Sequence, residues 1–97
     1  MMILRTLNRG PLHGYAIAKH IHVWSKGALE IEDGSLYPAL NRMLHKGWVK
    51  AEWGVTDNNR RARFYRLTTA GKKQLEAEAT AFSKMVRTIQ LVMRTSE

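Results

Sequence analysis

Between Asp33 and Thr68 the chain carries two hydrophobic periods back to back, and few folds accommodate that order. Leu36, Leu40, Met43 and Leu44 recur at helical spacing, and Gly47 closes the helix they define. Val49, Ala51 and Trp53 then alternate with Lys50 and Glu52, and Tyr65 and Leu67 alternate with Phe64 and Arg66, as strands do. Between them lies GVTDNNRRA, rich in turn formers, so the two strands join as a hairpin. A two-stranded hairpin is unstable alone and has to pack on helices. The order predicts a mostly α fold with a small two-stranded β-hairpin, the arrangement of a winged helix-turn-helix.

The flanking segments supply the remaining helices. Ile3, Leu4 and Leu7 make a short helix that stops at Gly10 and Pro11, and its start at Met1 leaves no room for a cap. Either its first turn frays or a natural upstream segment precedes it. HGYAIAKHIHVWS puts Ile17, Ile21 and Trp24 on one stripe of a second helix that ends near Ser25. Asp33 and Ser35 are both candidate N-caps for the third helix, with Pro38 in its first turn, where a missing N–H is harmless. Thr68 and Thr69 offer a cap for a fourth. Along that last helix Leu75, Ala79, Phe82, Val86, Ile89 and Met93 are spaced four, three, four, three and four, an a/d seam broadened by Met85 and Val92. So long a stripe exceeds what a small core can cover, and a second copy of the same helix is the simplest partner. The expected organisation is a winged unit over 1–68 and a dimerisation helix over 69–97.

With 97 residues the chain holds one core, and it carries 16 Lys and Arg against 8 Asp and Glu, a net charge of +8. Such a balance favours polyanions, because each neutralised phosphate releases counterions. There is no cysteine, which removes disulfides and thiolate metal sites and is compatible with a reducing cytoplasm. No signal-peptide apolar region or membrane-length apolar run is present, so a soluble cytoplasmic protein is expected. His20 and His22 are two apart and point to different sides of their helix, which argues against a metal site, and no nucleophile–base set or phosphate-cradling glycine motif suggests an enzyme. No cofactor is expected.

The charges sit where a duplex would want them. Off the buried stripe, the third helix carries Ser35, Tyr37, Pro38, Asn41, Arg42, His45 and Lys46. Ser35 and Tyr37 suit phosphates, while Asn41 and Arg42 suit adenine and guanine edges. The hairpin tip adds Asn59, Arg60 and Arg61, with Arg63 beyond it, able to reach a minor groove or flanking phosphates. The tryptophans Trp24, Trp48 and Trp53 are expected in the core. Where two C-terminal helices cross, Phe82, Met85 and Met93 would line a junction able to admit a flat apolar effector, although core packing accounts for them more simply.

HGYAIAKHI, DGSLYPALNRMLHKGWV and AEWGVTDNNRRARFYRLTTAGKKQL together resemble the PadR family of bacterial transcriptional regulators over nearly the whole chain, in its short form with a single C-terminal helix. The Gly34–Leu40 run and the Arg63–Thr68 strand are specific in combination. The resemblance implies a homodimeric repressor of double-stranded DNA targets, with a recognition helix from Ser35 to Gly47 and a wing over about Gly54 to Ala62. It also implies operator contacts by Ser35, Tyr37, Arg60, Arg61 and Arg63, and in many members relief of repression by small aromatic compounds or drugs. Members commonly have several more residues before the stretch matching Ile3 to Leu7. The tryptophan with which some short members stack a drug has no counterpart, since none lies beyond Trp53. The rivals are a winged-helix adaptor meeting an acidic protein and, last, an RNA binder, which would want stacking aromatics on an exposed sheet.

Overall fold

A computed structural model describes residues 1–95. The elements are α1 (Met2–Leu7), β1 (Leu12–His13), α2 (Gly14–Trp24), α3 (Asp33–His45), β2 (Val49–Val55), β3 (Arg61–Leu67) and α4 (Thr69–Thr95). The expected helices are all present. The sheet has three strands in the order β1-β3-β2, not two, because Leu12 and His13 pair with Tyr65 and Phe64 before α2 begins. Two residues are too few to show an alternation, which is why the sequence merged them with the helix.

One core holds the elements together. Leu4 and Leu7 of α1, Ile17 and Ile21 of α2, Leu36 and Leu40 of α3, Val49 of β2, Tyr65 of β3 and Leu75 of α4 are buried in one cluster. The helical spacing of Ile3, Leu4 and Leu7 in α1, of Ile17 and Ile21 in α2 and of Leu36 and Leu40 in α3 therefore turns these residues into the core. Trp48 is half-buried, but Trp24 is 44% and Trp53 64% exposed, correcting their expected place in the core. Trp53 lies on the exposed face of the hairpin, where its ring supports Arg61, whose guanidinium stands 4.9 Å from the ring centroid.

Helix ends fix the chain's turns. α3 starts at Asp33 behind Glu32, which gives no side-chain cap, so neither Asp33 nor Ser35 serves as the N-cap. Pro38 consequently sits beyond the first turn, and the carbonyl of Gly34, exposed to solvent, lacks the amide that would ordinarily bond it. At the other end Trp48 N–H donates to Met43 O at 3.0 Å and Gly47 N–H to Leu44 O at 3.1 Å, a Schellman closure with Gly47 at φ +73°. The capping of α4 follows expectation: Thr68 Oγ1 accepts from Gly71 N–H at 3.0 Å and donates to Gly47 O at 2.6 Å. Gly71 has no room for a side chain, because a Cβ there would collide with the carbonyl of Trp48. The start of α4 is thereby locked onto the α3–β2 turn.

Candidate nucleic-acid interface

Burial of Leu36 and Leu40 turns the opposite side of α3 outward, and Ser35, Tyr37, Pro38, Asn41, Arg42, His45 and Lys46 are all exposed there. Lys46 leans back over Trp48, its ammonium 4.7 Å from the ring centroid, at the C-terminal end of the helix. Tyr37 is at the edge of this face and packs on the start of α2, where a Cβ on Gly14 would lie 2.6 Å from its Oη. Its phenol is pushed above the ordinary value by burial, then by the Asp33 carboxylate and Tyr65. It therefore stays protonated at neutral pH, a hydrogen-bond donor.

The hairpin beyond α3 is a continuously paired ribbon. β2 and β3 pair from Val49 opposite Leu67 to Val55 opposite Arg61, longer than the alternation alone indicated. Residues 56–60 close it: Thr56 N–H donates to Arg60 O at 2.8 Å, Asn59 N–H to Thr56 O at 2.9 Å and Arg60 N–H to Thr56 Oγ1 at 3.2 Å. Asn59 takes the left-handed conformation at φ +59°, which asparagine tolerates, so its role is at least partly to shape the turn. The period-two register puts Arg61 and Arg63 on one face of the ribbon with Trp53 and Tyr65. Arg61 lies over Trp53, and Arg63 stands 5.8 Å from the Tyr65 ring centroid.

Among the described residues the ion pairs are the Met1 amine with Glu78 and Arg66 with Glu52. Arg60, Arg61 and Arg63 thus reach solvent without carboxylate partners, as does Arg42. The histidines have structural neighbours. His13 Nδ1 accepts from Ala16 N–H at 3.2 Å and caps α2, His20 meets Trp24 edge-on, and His22 Nδ1 lies 3.3 Å from Leu29 O. Among the described residues no group of three His, Cys, Asp or Glu could hold a metal, and no helix is long and apolar enough to cross a membrane.

A groove of about 980 Å³ opens between α2 and the wing. Tyr37 lines it together with Arg60, Arg61 and Arg63, so the structure brings the edge of the α3 face and the wing to one concavity. Sequence reasoning missed its other wall, Tyr15 and Lys19 of α2. Their spacing, four apart and opposite Ile17 and Ile21, was the available signal.

The expected seam of α4 divides. Leu75 is buried in the protomer's own core, and Ala79 and Val86 are half-buried, whereas Phe82, Ile89 and Met93 are exposed. Leu75 therefore holds α4 to the winged body, and an outward seam begins only beyond it. Positions 96 and 97 of the expected helix lie outside the described residues.

Residues 3–77 match the transcriptional regulator PadR-like family. The chain belongs to that family. A transcriptional regulator of Mycobacterium tuberculosis is 30% identical over 78 residues, 80% of this chain and 69% of that protein. Among solved PadR structures, a family member from Clostridium difficile superposes with a TM-score of 0.81 at 26% identity, covering 95% of this chain and 94% of that one. PadR of Bacillus subtilis, solved in complex with operator DNA, shares the fold at a TM-score of 0.70 and 23% identity, covering 80% of this chain and 43% of that one. The winged-helix architecture with a long C-terminal helix is thus the family's.

Proposed function

We propose that this PadR-like regulator is a cytoplasmic homodimeric repressor that binds a pseudo-palindromic operator. The observation that carries the reading is the outward face of α3 continuing into a wing whose arginines have no carboxylate partner among the described residues. Ser35 and Tyr37 bond phosphates, Asn41 and Arg42 read base edges, and Pro38, exposed on the same face, lies against the duplex beside them. Lys46 and Asn59 lie at the margins, and Arg60, Arg61 and Arg63 contact the flanking groove and backbone. The operator complex of Bacillus subtilis PadR supports DNA as the partner class.

Residues 1–68 form the reading unit, and α4 from Thr69 onward pairs with its counterpart through Phe82, Val86, Ile89 and Met93. Paired recognition helices then enter successive major grooves ~34 Å apart. The crossing of the two α4 helices, with Phe82 and Met85, gives a small aromatic effector a place to relieve repression.

Fluorescence anisotropy with duplex from the gene's own upstream region and with scrambled duplex, at low and physiological salt, tests the reading. A preference of ~10³ or more that survives the higher salt is expected. Asn41→Ala should alter the ranking of operator variants, not only weaken all of them. Equal, salt-labile binding to both duplexes would remove sequence-specific regulation, and no binding at either salt would leave a winged-helix adaptor for an acidic protein.

A further inference from the structure

Tyr37 reaches the edge of the α3 face over a slot that a single residue leaves open. Gly14 begins α2 and is buried, and a Cβ on it would lie 2.6 Å from Tyr37 Oη, 2.9 Å from Cζ and 3.0 Å from Cε1. Even a methyl group there collides with the far end of the ring. The backbone raises no such objection, since Gly14 lies outside the left-handed region and alanine favours a helix over glycine. Nor can Gly14 retreat. Leu12 and His13, just before it, are paired with Tyr65 and Phe64, and His13 Nδ1 accepts from Ala16 N–H at 3.2 Å just after it. A substitution at Gly14 is therefore relieved by the ring, which swings out while the fold stays.

We propose that Gly14 is a positioning residue for operator binding: its bare Cα seats the Tyr37 phenol, so that the hydroxyl meets a phosphate already oriented. The proposal rests on the reading of the chain as an operator binder and assigns a role to a residue that touches no DNA. Tyr37 stays 42% exposed, so the seat holds one edge of the ring and leaves the rest open to a ligand. Among the described residues Tyr37 Oη has no hydrogen-bond partner, and nothing within the chain competes for it. The same packing keeps the phenol protonated, hence a donor, at neutral pH. A ring already held against α2 has less rotamer freedom to lose on binding than one hanging free in solvent. A helix start selected for stability alone would carry alanine at this position. Glycine is required because the ring comes this close.

The test uses the full chain, with operator and scrambled duplexes titrated by anisotropy across a salt series, folding checked by thermal unfolding, and the phenols titrated by carbon NMR of labelled tyrosine. Gly14→Ala should melt close to the wild-type temperature yet weaken both duplexes about tenfold, the size of a lost hydrogen bond to a charged group. The preference ratio and the salt slope should stay as they are, because a neutral hydroxyl releases no counterion. Tyr37→Phe should weaken binding by a similar factor, and Gly14→Ala should add nothing in a Tyr37→Ala background, where no ring is left to displace. The Tyr37 phenol, identified by its absence from Tyr37→Phe, should titrate closer to the ordinary value in Gly14→Ala, since the displaced ring regains water. The proposal is overturned if Gly14→Ala binds operator as the wild type does, or if its loss persists in full without the Tyr37 ring. It is also overturned if the Tyr37 phenol titrates as in the wild type, or if Gly14→Ala fails to fold, since the seat requires that the ring alone gives way. Failure of the wild type to bind any duplex would remove the operator reading and this proposal together, whereas the other failures leave that reading standing.

Discussion

The winged body and the outer half of α4 are built from the same apolar residue types and treat them in opposite ways. In the body Leu4, Ile17, Leu36 and Leu40 have no exposed surface. Along α4 beyond Ala79, Phe82 remains 51% and Ile89 52% exposed. The molecule measures 57 Å along its long axis against 29 and 22 Å across, so one helix carries its stripe past the reach of the core. A core stabilises its helices from within the protomer, whereas an isolated helix draws little stability from propensity alone. Under the proposed dimer, the body's stability belongs to each chain and that of the outer α4 depends on protein concentration.

The largest expected effect is in the body. Leu40→Ala should cost about 2–5 kcal/mol by opening a cavity among α2, α3 and the sheet, a large share of the stability of a domain this size. Urea unfolding at several protein concentrations should give the same loss at each. A loss that vanishes at high concentration would mean that the body also depends on the second chain, and the contrast between the two regions would collapse.

Why the two regions differ in legibility follows from the same physics. Burial in the body obeys local period, so Leu36 and Leu40 on α3 and Val49 and Tyr65 on the hairpin could be placed from spacing alone. Period says which residues share a face, not how far that face extends into the core. It therefore put Trp53 inside, although that ring is 64% exposed under Arg61, and it counted Leu75 with the outward seam, although that residue is buried in the protomer's core. The α3 face and the wing arginines were readable because each lies on one element. The α2 wall of the groove was not, because Lys19 and Arg61 are brought together only when β1 pairs with β3 and Tyr37 settles against Gly14. The cap at Glu32 was hidden for a different reason: without a side-chain bond it leaves no residue preference to detect.

Val86→Asp attacks the other side of the comparison. A carboxylate on the half-buried middle of the seam has no partner in a paired helix. It should weaken the dimer by about 2.8 kcal/mol, a ~10²-fold change in dissociation constant. Sedimentation velocity should show monomers whose winged body melts as the wild-type monomer does, with operator affinity reduced because each half-site then binds alone. A stable Val86→Asp dimer would place the interface elsewhere.

The smallest effect tests the joint between the regions. Thr68 caps α4 through Gly71 N–H and also donates to the carbonyl of Gly47, while its own amide donates to Trp48 O at 3.0 Å. Thr68→Ala removes the hydroxyl's two bonds and should cost about 1 kcal/mol, near the usual value for a lost cap. Thr68→Ser should restore most of it, since the hydroxyl and not the methyl makes both bonds. Because the joint lies at the body's end of α4, dimer affinity should not change with either variant. Equal destabilisation by alanine and serine would assign the role to methyl packing. A weaker dimer in Thr68→Ala alone would show that the Gly47–Thr68–Gly71 lock transmits to the far end of the helix, and α4 would then be a lever on α3, not a separate strut.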